Sequence, residues 1–197
     1  MTLILVRHGE SEGNIRGIIT GSMDLDLTDL GREQARLVGQ RLAAEPVAAL
    51  YSSTRVRAAK TAAAIGAHHN LKPIFIEGLD EYRYGEAEGL TWEDFRERFP
   101  RGMKDWGAGA VPGEEGRGVF RTRVAAAIDL LAERHSKDLA VVACHGGTIL
   151  HILAHVMQLP SNSAPRTRIG NCSITTIEHA NGRTEITLVN DLCHLTS

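Results

Sequence analysis

The N-terminal stretch constrains the fold most, because a fully apolar run ends abruptly in reactive side chains. Residues 3–6 are Leu-Ile-Leu-Val, and Arg7, His8 and Gly9 follow directly. A short, continuously apolar run is typical of a strand that is buried on both faces of a sheet. Ligands of open α/β sheets bind at the carboxyl ends of the strands. The stretch therefore predicts a reactive histidine at the edge of a parallel sheet.

The remainder of the chain alternates predicted strands with predicted helices. Strands are predicted at residues 47–51, 74–76 and 139–144, and helices at residues 28–44, 56–69, 116–135 and, after Gly147, up to residue 159. Asn181-Gly182 separates two further strand-like runs and predicts a hairpin. The predicted fold is one α/β domain over residues 1–197. It has three layers (α/β/α), a mostly parallel central sheet and one antiparallel edge strand or hairpin.

One segment interrupts this alternation. Residues 100–118 contain two prolines and six glycines, which predicts a mobile excursion rather than a helix or a strand. Before it, Thr91-Trp92-Glu93-Asp94 has the spacing of a capping box and predicts the start of a helix. This segment is the last part of a longer excursion, residues 82–118, which we expect to form a lid.

Composition and charge exclude several classes of protein. A formal net charge of −2 argues against a general binder of nucleic acids or membrane surfaces. No apolar run is long enough to cross a membrane, and the N-terminal run is too short for a signal peptide. The three cysteines show neither metal-ligand spacing nor even pairing, so we expect a reduced, cytoplasmic environment.

Polar segments follow four of the predicted strands, and parallel strands bring their carboxyl ends to one edge of a sheet. The segments hold two histidines, two arginines and one carboxylate: Arg7-His8-Gly9, Arg57, Glu81 and His145-Gly146. Arginine offers planar, permanently charged donors that match phosphate oxygens, and histidine can attack phosphorus. A carboxylate could protonate a leaving oxygen. No cluster of acidic side chains and histidines suggests a metal site, so we expect neither a metal nor a cofactor.

Several segments, in order along the chain, resemble those of the histidine phosphatase superfamily, also called the phosphoglycerate-mutase-like family. They are Arg7-His8-Gly9-Glu10-Ser11 with Asn14, Leu27-Thr28 with Gly31, Gln34 and Ala35, Tyr51-Ser52-Ser53 with Arg57, Ala58, Thr61 and Ala62, Leu79 and Glu81 with Glu88-Gly89, His145-Gly146-Gly147, and Asn190-Asp191 with His194-Leu195. The triplet Arg-His-Gly alone is a weak signal, whereas the ordered set spans nearly the whole chain. The resemblance implies a phosphoglycerate-mutase-like fold.

The resemblance also implies roles for individual residues. His8 is the expected nucleophile, which passes through a phosphohistidine, and Glu81 is expected to protonate the leaving alcohol and then deprotonate water. Groups that are expected to bind the phosphoryl oxygens and stabilise the transition state are Arg7, Arg57 and His145, with Asn14 and the backbone of Gly146 as further contributors. Substrate contacts are expected at Thr20, Gly21 and Tyr84.

Arg55 departs from the pattern, because it lies two residues before Arg57. The Ser-Ser-x-x-x-Arg spacing selects Arg57 as the phosphate ligand and makes Arg55 a peripheral basic residue. If this motif were aligned two residues earlier, Arg55 would be the phosphate ligand and Arg57 the peripheral residue.

Three functional readings remain open at this level. The leading one is a metal-independent phosphatase, in the phosphatase branch of the family, which acts on a small organic phosphomonoester. A cofactor-dependent phosphoglycerate mutase is the first alternative; such mutases carry an adjacent arginine pair that residues 90–118 lack. The second is a non-catalytic, protein-binding member of the fold. The hairpin at residues 171–189 could support a homodimer.

Overall fold

The central sheet was located in a computed structural model, which describes residues 1–102, 104–105, 107–160, 163–180 and 183–196. Within these residues the sheet has six strands: β1 (Thr2–Arg7), β2 (Val47–Ser52), β3 (Ile74–Phe75), β4 (Leu139–Cys144), β5 (Ile174–Ala180) and β6 (Arg183–Asp191). Their order in the sheet is β3-β2-β4-β1-β5-β6. The first four strands in this order pair in parallel, whereas β5 runs antiparallel to β1 and to β6. The predicted mostly parallel sheet is confirmed.

Six helices accompany the sheet in the described residues: α1 (Glu12–Ile15), α2 (Asp29–Leu42), α3 (Val56–Gly66), α4 (Trp92–Arg98), α5 (Arg117–Arg134) and α6 (Gly146–Val156). Helix α2 begins at the N-cap Thr28, whose side chain accepts the N–H of Gly31. Thr91 and Asp94 form the predicted capping box at the start of α4. Single 3₁₀ turns lie at Glu77–Leu79, Gly85–Ala87 and Cys193–Leu195.

Strand β1 separates two hydrophobic clusters, which establishes the three layers. Leu3 and Leu5 pack with the apolar faces of α5 and α6, whereas Ile4 and Val6 pack with those of α2 and α3. All four side chains are buried, and burial of one such side chain contributes roughly 1.5–3 kcal/mol to folding. The alternation of faces along the strand therefore holds His8 rigidly at the edge of the sheet.

The predicted antiparallel hairpin at the edge of the sheet is confirmed. Strand β5 pairs with β1 over Thr2 to Val6, so that β6 alone forms this edge of the sheet. The predicted turn residues, Asn181 and Gly182, lie outside the described residues. The organisation as one domain with a lid at residues 82–118 stays a prediction.

Two element boundaries differ from the prediction for local reasons. Residues 12–15, which none of the predicted helices includes, form α1, in which Ser11 and Asn14 form a capping box. Helix α3 ends at Gly66, three residues early, because the N–H of Leu71 bonds to the Gly66 carbonyl and closes the helix. A Cβ on Gly66 would lie 2.3 Å from the carbonyl oxygen of Leu71, so the closure requires glycine.

Candidate active site

The carboxyl edge of the sheet gathers the side chains that follow the parallel strands. His8 follows β1 and His145 follows β4, and their ring centroids are 5.2 Å apart. The backbone N–H of His8 donates to the carbonyl of Cys144 at 2.9 Å, which joins the two strand ends. Arg57 lies in the first turn of α3, a few residues after β2. We call Arg7, His8, Arg57 and His145 the anion cradle.

The ring of His8 is oriented by one backbone contact. Its Nδ1 atom lies 2.7 Å from the carbonyl oxygen of Gly9, so Nδ1 carries the proton and Nε2 keeps its lone pair. Burial lowers the pKa of His8 well below its usual value, and the charges of Arg57 and Arg7 lower it further. His8 is therefore neutral near neutral pH and offers Nε2 as a nucleophile.

Arg57 is a charged side chain that is almost completely buried. It is 1% exposed, and its two terminal nitrogens donate to the carbonyls of Met23 at 2.7 Å and Gly21 at 2.8 Å. Burial lowers the pKa of Arg57 to about 10, which still leaves the guanidinium charged near neutral pH. Gly21 thus contributes to the site through its backbone carbonyl, which accepts a hydrogen bond from Arg57. Its φ of +47° and its proximity to Glu88 exclude a larger residue there.

Arg7 supplies a second buried guanidinium. One of its terminal nitrogens donates to the carbonyl of Ile169, and its Nε atom is buried without a hydrogen-bond partner among the described residues. Burial lowers the pKa of Arg7, while the nearby carboxylate of Glu81 opposes this shift. A buried donor without a partner is costly unless a ligand satisfies it. The arrangement therefore suits an incoming anion.

Glu81 presents its carboxylate beside the cradle. Its Oε1 accepts the N–H of Tyr82 and its Oε2 accepts the N–H of Gly147, both at 2.9 Å. A Cβ on Gly147 would lie 2.4 Å from Oε1 of Glu81, so the second glycine after His145 makes room for the carboxylate. Glu81 is thus fixed by two backbone donors on different segments of the chain.

A clamp on the Glu81 segment was missed by sequence reasoning. Arg123 of α5 donates to the carbonyls of Asp80 at 2.8 Å and Glu81 at 3.0 Å, and it pairs with Glu115 at 2.8 Å. The Glu115 side chain is fully buried and also accepts the N–H of Arg83 at 2.9 Å. The only sequence signal is an arginine on the inner part of a helix, which is too common to be informative.

Asn14 and Asn171 form a second unit behind His8. The Oδ1 atom of Asn14 accepts from the Ser11 backbone at 3.0 Å, the Ser11 hydroxyl at 3.1 Å and Nδ2 of Asn171 at 3.1 Å. Nδ2 of Asn171 also donates to the His8 carbonyl at 3.0 Å. Any contact of Asn14 with an anion must therefore come from its own Nδ2. Sequence reasoning selected Asn14 and missed Asn171.

Arg55 lies outside the anion cradle but makes specific contacts of its own. Its guanidinium pairs with Asp80 at 2.7 Å and donates to the Ser22 carbonyl at 3.0 Å. It therefore joins the loop that carries the Arg57 acceptors to the segment that carries Glu81. The structure separates the two arginines clearly, because Arg57 lies in the cradle and Arg55 is bound by Asp80.

Two glycines of the ordered motifs form one close contact. A Cβ on Gly9 would lie 2.3 Å from the carbonyl oxygen of Gly31, and a Cβ on Gly31 would lie 1.9 Å from the carbonyl oxygen of Glu10. Both obstacles are backbone atoms, so no side-chain movement could relieve them. The loop that carries His8 therefore packs against the first turn of α2 only because residues 9 and 31 are glycine.

Gly146 lies at the first position of α6, where backbone N–H groups point out of the helix and favour anions. His145 is the N-cap of this helix, and its Nε2 atom lies 2.7 Å from the Ser53 hydroxyl. The strand end and the helix start thus contribute to the same anion site.

The predicted substrate contacts differ in position. The Tyr84 ring lies against Tyr82 at a centroid distance of 4.8 Å, and burial followed by the charge of Glu81 raises the pKa of Tyr84. Its hydroxyl group thus stays protonated beside the acidic part of the site. Thr20 is partly buried, and its hydroxyl group lies 3.4 Å from the Ile18 carbonyl.

The described residues show neither a metal-binding cluster nor a membrane-spanning helix. No three of their acidic, histidine or cysteine side chains form a group that could hold a metal ion. Every helix in the described part of the chain is too short or too polar to cross a bilayer. The homodimer and the cytoplasmic location stay predictions.

Comparison with known proteins agrees with this geometry. The sequence profile of the histidine phosphatase superfamily (branch 1) matches residues 3–192. The chain is 32% identical over 196 residues to a putative phosphoserine phosphatase 2 of Hydrogenobacter thermophilus, a match that covers 98% of this chain and 96% of that protein. It is 30% identical to a metal-independent phosphoserine phosphatase of Arabidopsis thaliana, with 99% and 83% covered. Phosphoglycerate mutase-like proteins are also among its relatives.

A solved structure shares the whole architecture. It is a histidine-to-alanine mutant of phosphoserine phosphatase from Entamoeba histolytica in complex with phosphoserine. The two chains superimpose with a TM-score of 0.85 at 28% identity, and 98% of each chain is covered. The predicted α/β fold is therefore confirmed both by its strand order and by its structural neighbour.

Proposed function

The chain belongs to the histidine phosphatase superfamily, and we propose that it is a metal-independent phosphatase that hydrolyses a small organic phosphomonoester through a phosphohistidine on His8. The observation that carries this proposal is the hydrogen bond from Nδ1 of His8 to the Gly9 carbonyl. It leaves an unprotonated Nε2 among buried cations, where a phosphoryl group would be held.

In the first half-reaction the phosphoryl group binds in the anion cradle. Arg7 and Arg57 neutralise its oxygens, and the N–H of Gly146 and Nδ2 of Asn14 add neutral donors. Nε2 of His8 attacks phosphorus as the bond to the ester oxygen breaks. Glu81, which is protonated in the substrate complex, gives its proton to that oxygen and becomes a carboxylate, so the product leaves as an alcohol.

In the second half-reaction water replaces the alcohol. Glu81, now a carboxylate, takes a proton from the water as it attacks the phosphohistidine. The bond between phosphorus and Nε2 breaks, inorganic phosphate is released and His8 returns to its neutral form. Glu81 serves both steps because its carboxylate is held by the N–H groups of Tyr82 and Gly147.

Phosphoserine is the substrate that we propose to test first. Two of the relatives above carry this activity in their names, and the structural neighbour was solved with phosphoserine. Tyr84 is the proposed contact for the alcohol portion, because its ring packs on Tyr82, the residue that follows Glu81. Thr20 and Gly21 are proposed to border the same space.

The test uses phosphoserine and p-nitrophenyl phosphate in excess EDTA. We expect the wild-type protein to hydrolyse both and His8→Ala to hydrolyse neither, while His68→Ala, on an exposed histidine, keeps the wild-type rate. Quenching with labelled substrate should trap an acid-labile, alkali-stable phosphoprotein in the wild type only. Equal rates for the wild type and His8→Ala would refute the proposal.

A mutase is the competing function, because phosphoglycerate mutase-like proteins are among the relatives. A mutase must protect its phosphohistidine from water, whereas a phosphatase must admit water. The two are separated by incubation with 3-phosphoglycerate. Interconversion with 2-phosphoglycerate at a rate far above the release of inorganic phosphate would establish the mutase.

A further inference from the structure

A buried chain of hydrogen bonds runs from His145 to Asp80. Nε2 of His145 lies 2.7 Å from the Ser53 hydroxyl oxygen, which lies 2.7 Å from Oδ1 of Asp80. All three side chains are buried. Ser53 and Asp80 connect His145, a member of the cradle, to the guanidinium of Arg55.

The donors and acceptors in this chain can be assigned without ambiguity. Asp80 pairs with Arg55 and also accepts two hydrogen bonds from Thr54, so it is an ionised acceptor. Burial raises the pKa of Asp80, but the hydrogen bonds from Ser53 and Thr54 and the charge of Arg55 lower it overall. Ser53 must therefore donate its single hydrogen to Asp80. It follows that Nε2 of His145 donates to Ser53.

The other ring nitrogen of His145 is left without a partner. Nδ1 is buried and has no hydrogen-bond partner among the described residues. In neutral His145 with its proton on Nε2, Nδ1 carries only a lone pair. Phosphoryl oxygens also offer only lone pairs, so neutral His145 cannot donate to a bound phosphoryl group.

The surroundings keep His145 neutral while the site is empty. Burial lowers the pKa of His145 well below its usual value, and neighbouring cations lower it further. The titratable and charged groups around it are Arg57, His8, Arg7 and Arg55, the carboxylates of Asp80 and Glu81, and the thiol of Cys144. A dianion bound among these cations would reverse the balance.

We propose that an oxyanion binds in this site together with one proton, which Nδ1 of His145 takes up, and that Ser53 and Asp80 make this uptake obligatory. With a dianionic ligand the proton comes from solvent, and no bond of the ligand changes. His145 becomes a cation that donates to the anion through Nδ1 and to Ser53 through Nε2. Ser53 and Asp80 are positioning residues, since they act only through His145. This inference deepens the proposed function, because it uses the same phosphoryl site.

The uptake has a consequence for affinity. Above the pKa of His145 in the free enzyme, each added pH unit should weaken the binding of a dianion about tenfold. The cation is thus present when an anion occupies the cradle and absent when the cradle is empty. A permanent third cation would be buried without a partner in the empty site.

The test uses tungstate, a tetrahedral oxyanion that stays a dianion in weakly alkaline solution. Its binding is measured by calorimetry at about pH 8 in buffers that differ in ionisation enthalpy, which gives the number of protons taken up. We expect close to one proton per site for the wild type. Spectra of ¹⁵N-histidine should show Nδ1 of His145 bare in the free protein and protonated in the complex.

A pair of serine variants tests the role of the hydrogen bonds that join His145, Ser53 and Asp80. In Ser53→Ala, Nε2 loses its acceptor, so neutral His145 can move its proton to Nδ1 and bind the anion directly. We expect proton uptake to fall toward zero and the pH dependence of binding to flatten. The control is Ser52→Ala, because the Ser52 hydroxyl donates to the Ser53 carbonyl at 2.8 Å and does not reach His145. Ser52→Ala should still take up close to one proton per site when tungstate binds.

Three results would overturn the inference. They are an uptake near zero in the wild type, a proton on Nδ1 of free His145, and an unchanged uptake in Ser53→Ala, which would assign the proton to His8. The spectra of the wild type settle the tautomer even if Ser53→Ala fails to fold. Ester hydrolysis is measured separately. An active phosphatase without proton uptake contradicts this inference alone, whereas proton uptake in an inactive protein contradicts only the proposed function.

Discussion

The anion cradle and the excursion at residues 82–118 are built in different ways. In the cradle, His8, Arg57 and His145 are nearly or fully buried, and the groups that orient His8 and Arg57 are backbone carbonyls next to the main core. The excursion packs in a small, separate hydrophobic cluster, in which its Ala87, Phe95 and Val111 contact Ile19 of the loop after α1. Its turns are fixed largely by Glu114, which accepts from the Tyr82 hydroxyl and from the backbone of residues 107, 109 and 111.

This difference separates the two requirements of the proposed reaction. The histidines of the cradle follow directly on β1 and β4, and the acceptors of His8 and Arg57 are main-chain carbonyls of adjoining loops. The cradle therefore cannot change without a movement of the backbone at this edge of the sheet. The excursion is held mainly by side-chain contacts, both within itself and to Ile19, Ser22 and Arg123. Its shape can therefore change while the sheet stays intact. We therefore expect the cradle to determine the chemistry and the excursion to determine the alcohol that leaves.

The largest expected effect lies at Glu81, where the two regions meet. We expect Glu81→Gln to lower kcat for phosphoserine by about 10²–10⁴, because the ester oxygen loses its proton donor. The loss should be much smaller in the first half-reaction with p-nitrophenyl phosphate, since p-nitrophenolate leaves without a proton. Rapid-mixing kinetics should then show a burst of p-nitrophenol. Equal losses for both substrates would contradict the assignment of Glu81 as the acid.

The second prediction compares the same substitution at a glycine that packs against the loop carrying His8 and at one in the excursion. Gly31→Ala should destabilise the protein by about 1–3 kcal/mol or more and reduce activity, because its Cβ would lie 1.9 Å from the Glu10 carbonyl oxygen. Gly118→Ala, in the first turn of α5, places its Cβ in open space. It should stabilise the protein by up to about 1 kcal/mol. Urea unfolding measures both, and similar effects would remove the distinction between the regions.

A third prediction concerns acid. His8 and His145 have pKa values lowered by burial in the folded protein, whereas the unfolded chain has a pKa of about 6.5 for each. Below that pH the unfolded state binds more protons, so the free energy of unfolding falls as the pH falls. Above that pH the two buried, neutral histidines make their full contribution to the free energy of unfolding. Each histidine should contribute a slope of up to about 1.4 kcal/mol per pH unit.

Urea titrations between about pH 7.5 and about pH 5 measure this slope. His145→Gln should reduce it, because glutamine does not titrate, and the exposed His68→Gln should leave it unchanged. A slope that stays the same in His145→Gln would show that the burial of His145 does not control acid stability.

The smallest effect is expected inside the excursion. Glu114→Gln replaces one acceptor oxygen by an amide and so weakens its contacts with the N–H groups of Gly107 and Gly109. We expect KM for phosphoserine to rise by up to about tenfold, while the trapping of phosphohistidine persists. Hydrogen exchange should accelerate in residues 107–116 and stay unchanged in β1. Loss of the phosphohistidine would show that the excursion also controls the chemistry.

The amino-acid sequence determined the alternating elements, the parallel sheet and the edge at which Arg7, His8, Arg57, Glu81 and His145 meet. These follow from local patterns, since strand periodicity and the direction of parallel strands need no knowledge of distant contacts. The two close glycine contacts, Gly9 with Gly31 and Gly147 with Glu81, were visible only as motif positions.

Tertiary structure alone decided how these side chains are held and protonated. The tautomer of His145 depends on Ser53 and Asp80, and the position of Glu81 depends on Arg123. Arg123 and Asn171 were not selected from the sequence, because each bonds to backbone atoms more than 40 residues away. Such contacts follow from the packing of helices on the sheet, and no spacing along the chain records which carbonyl will lie opposite which donor.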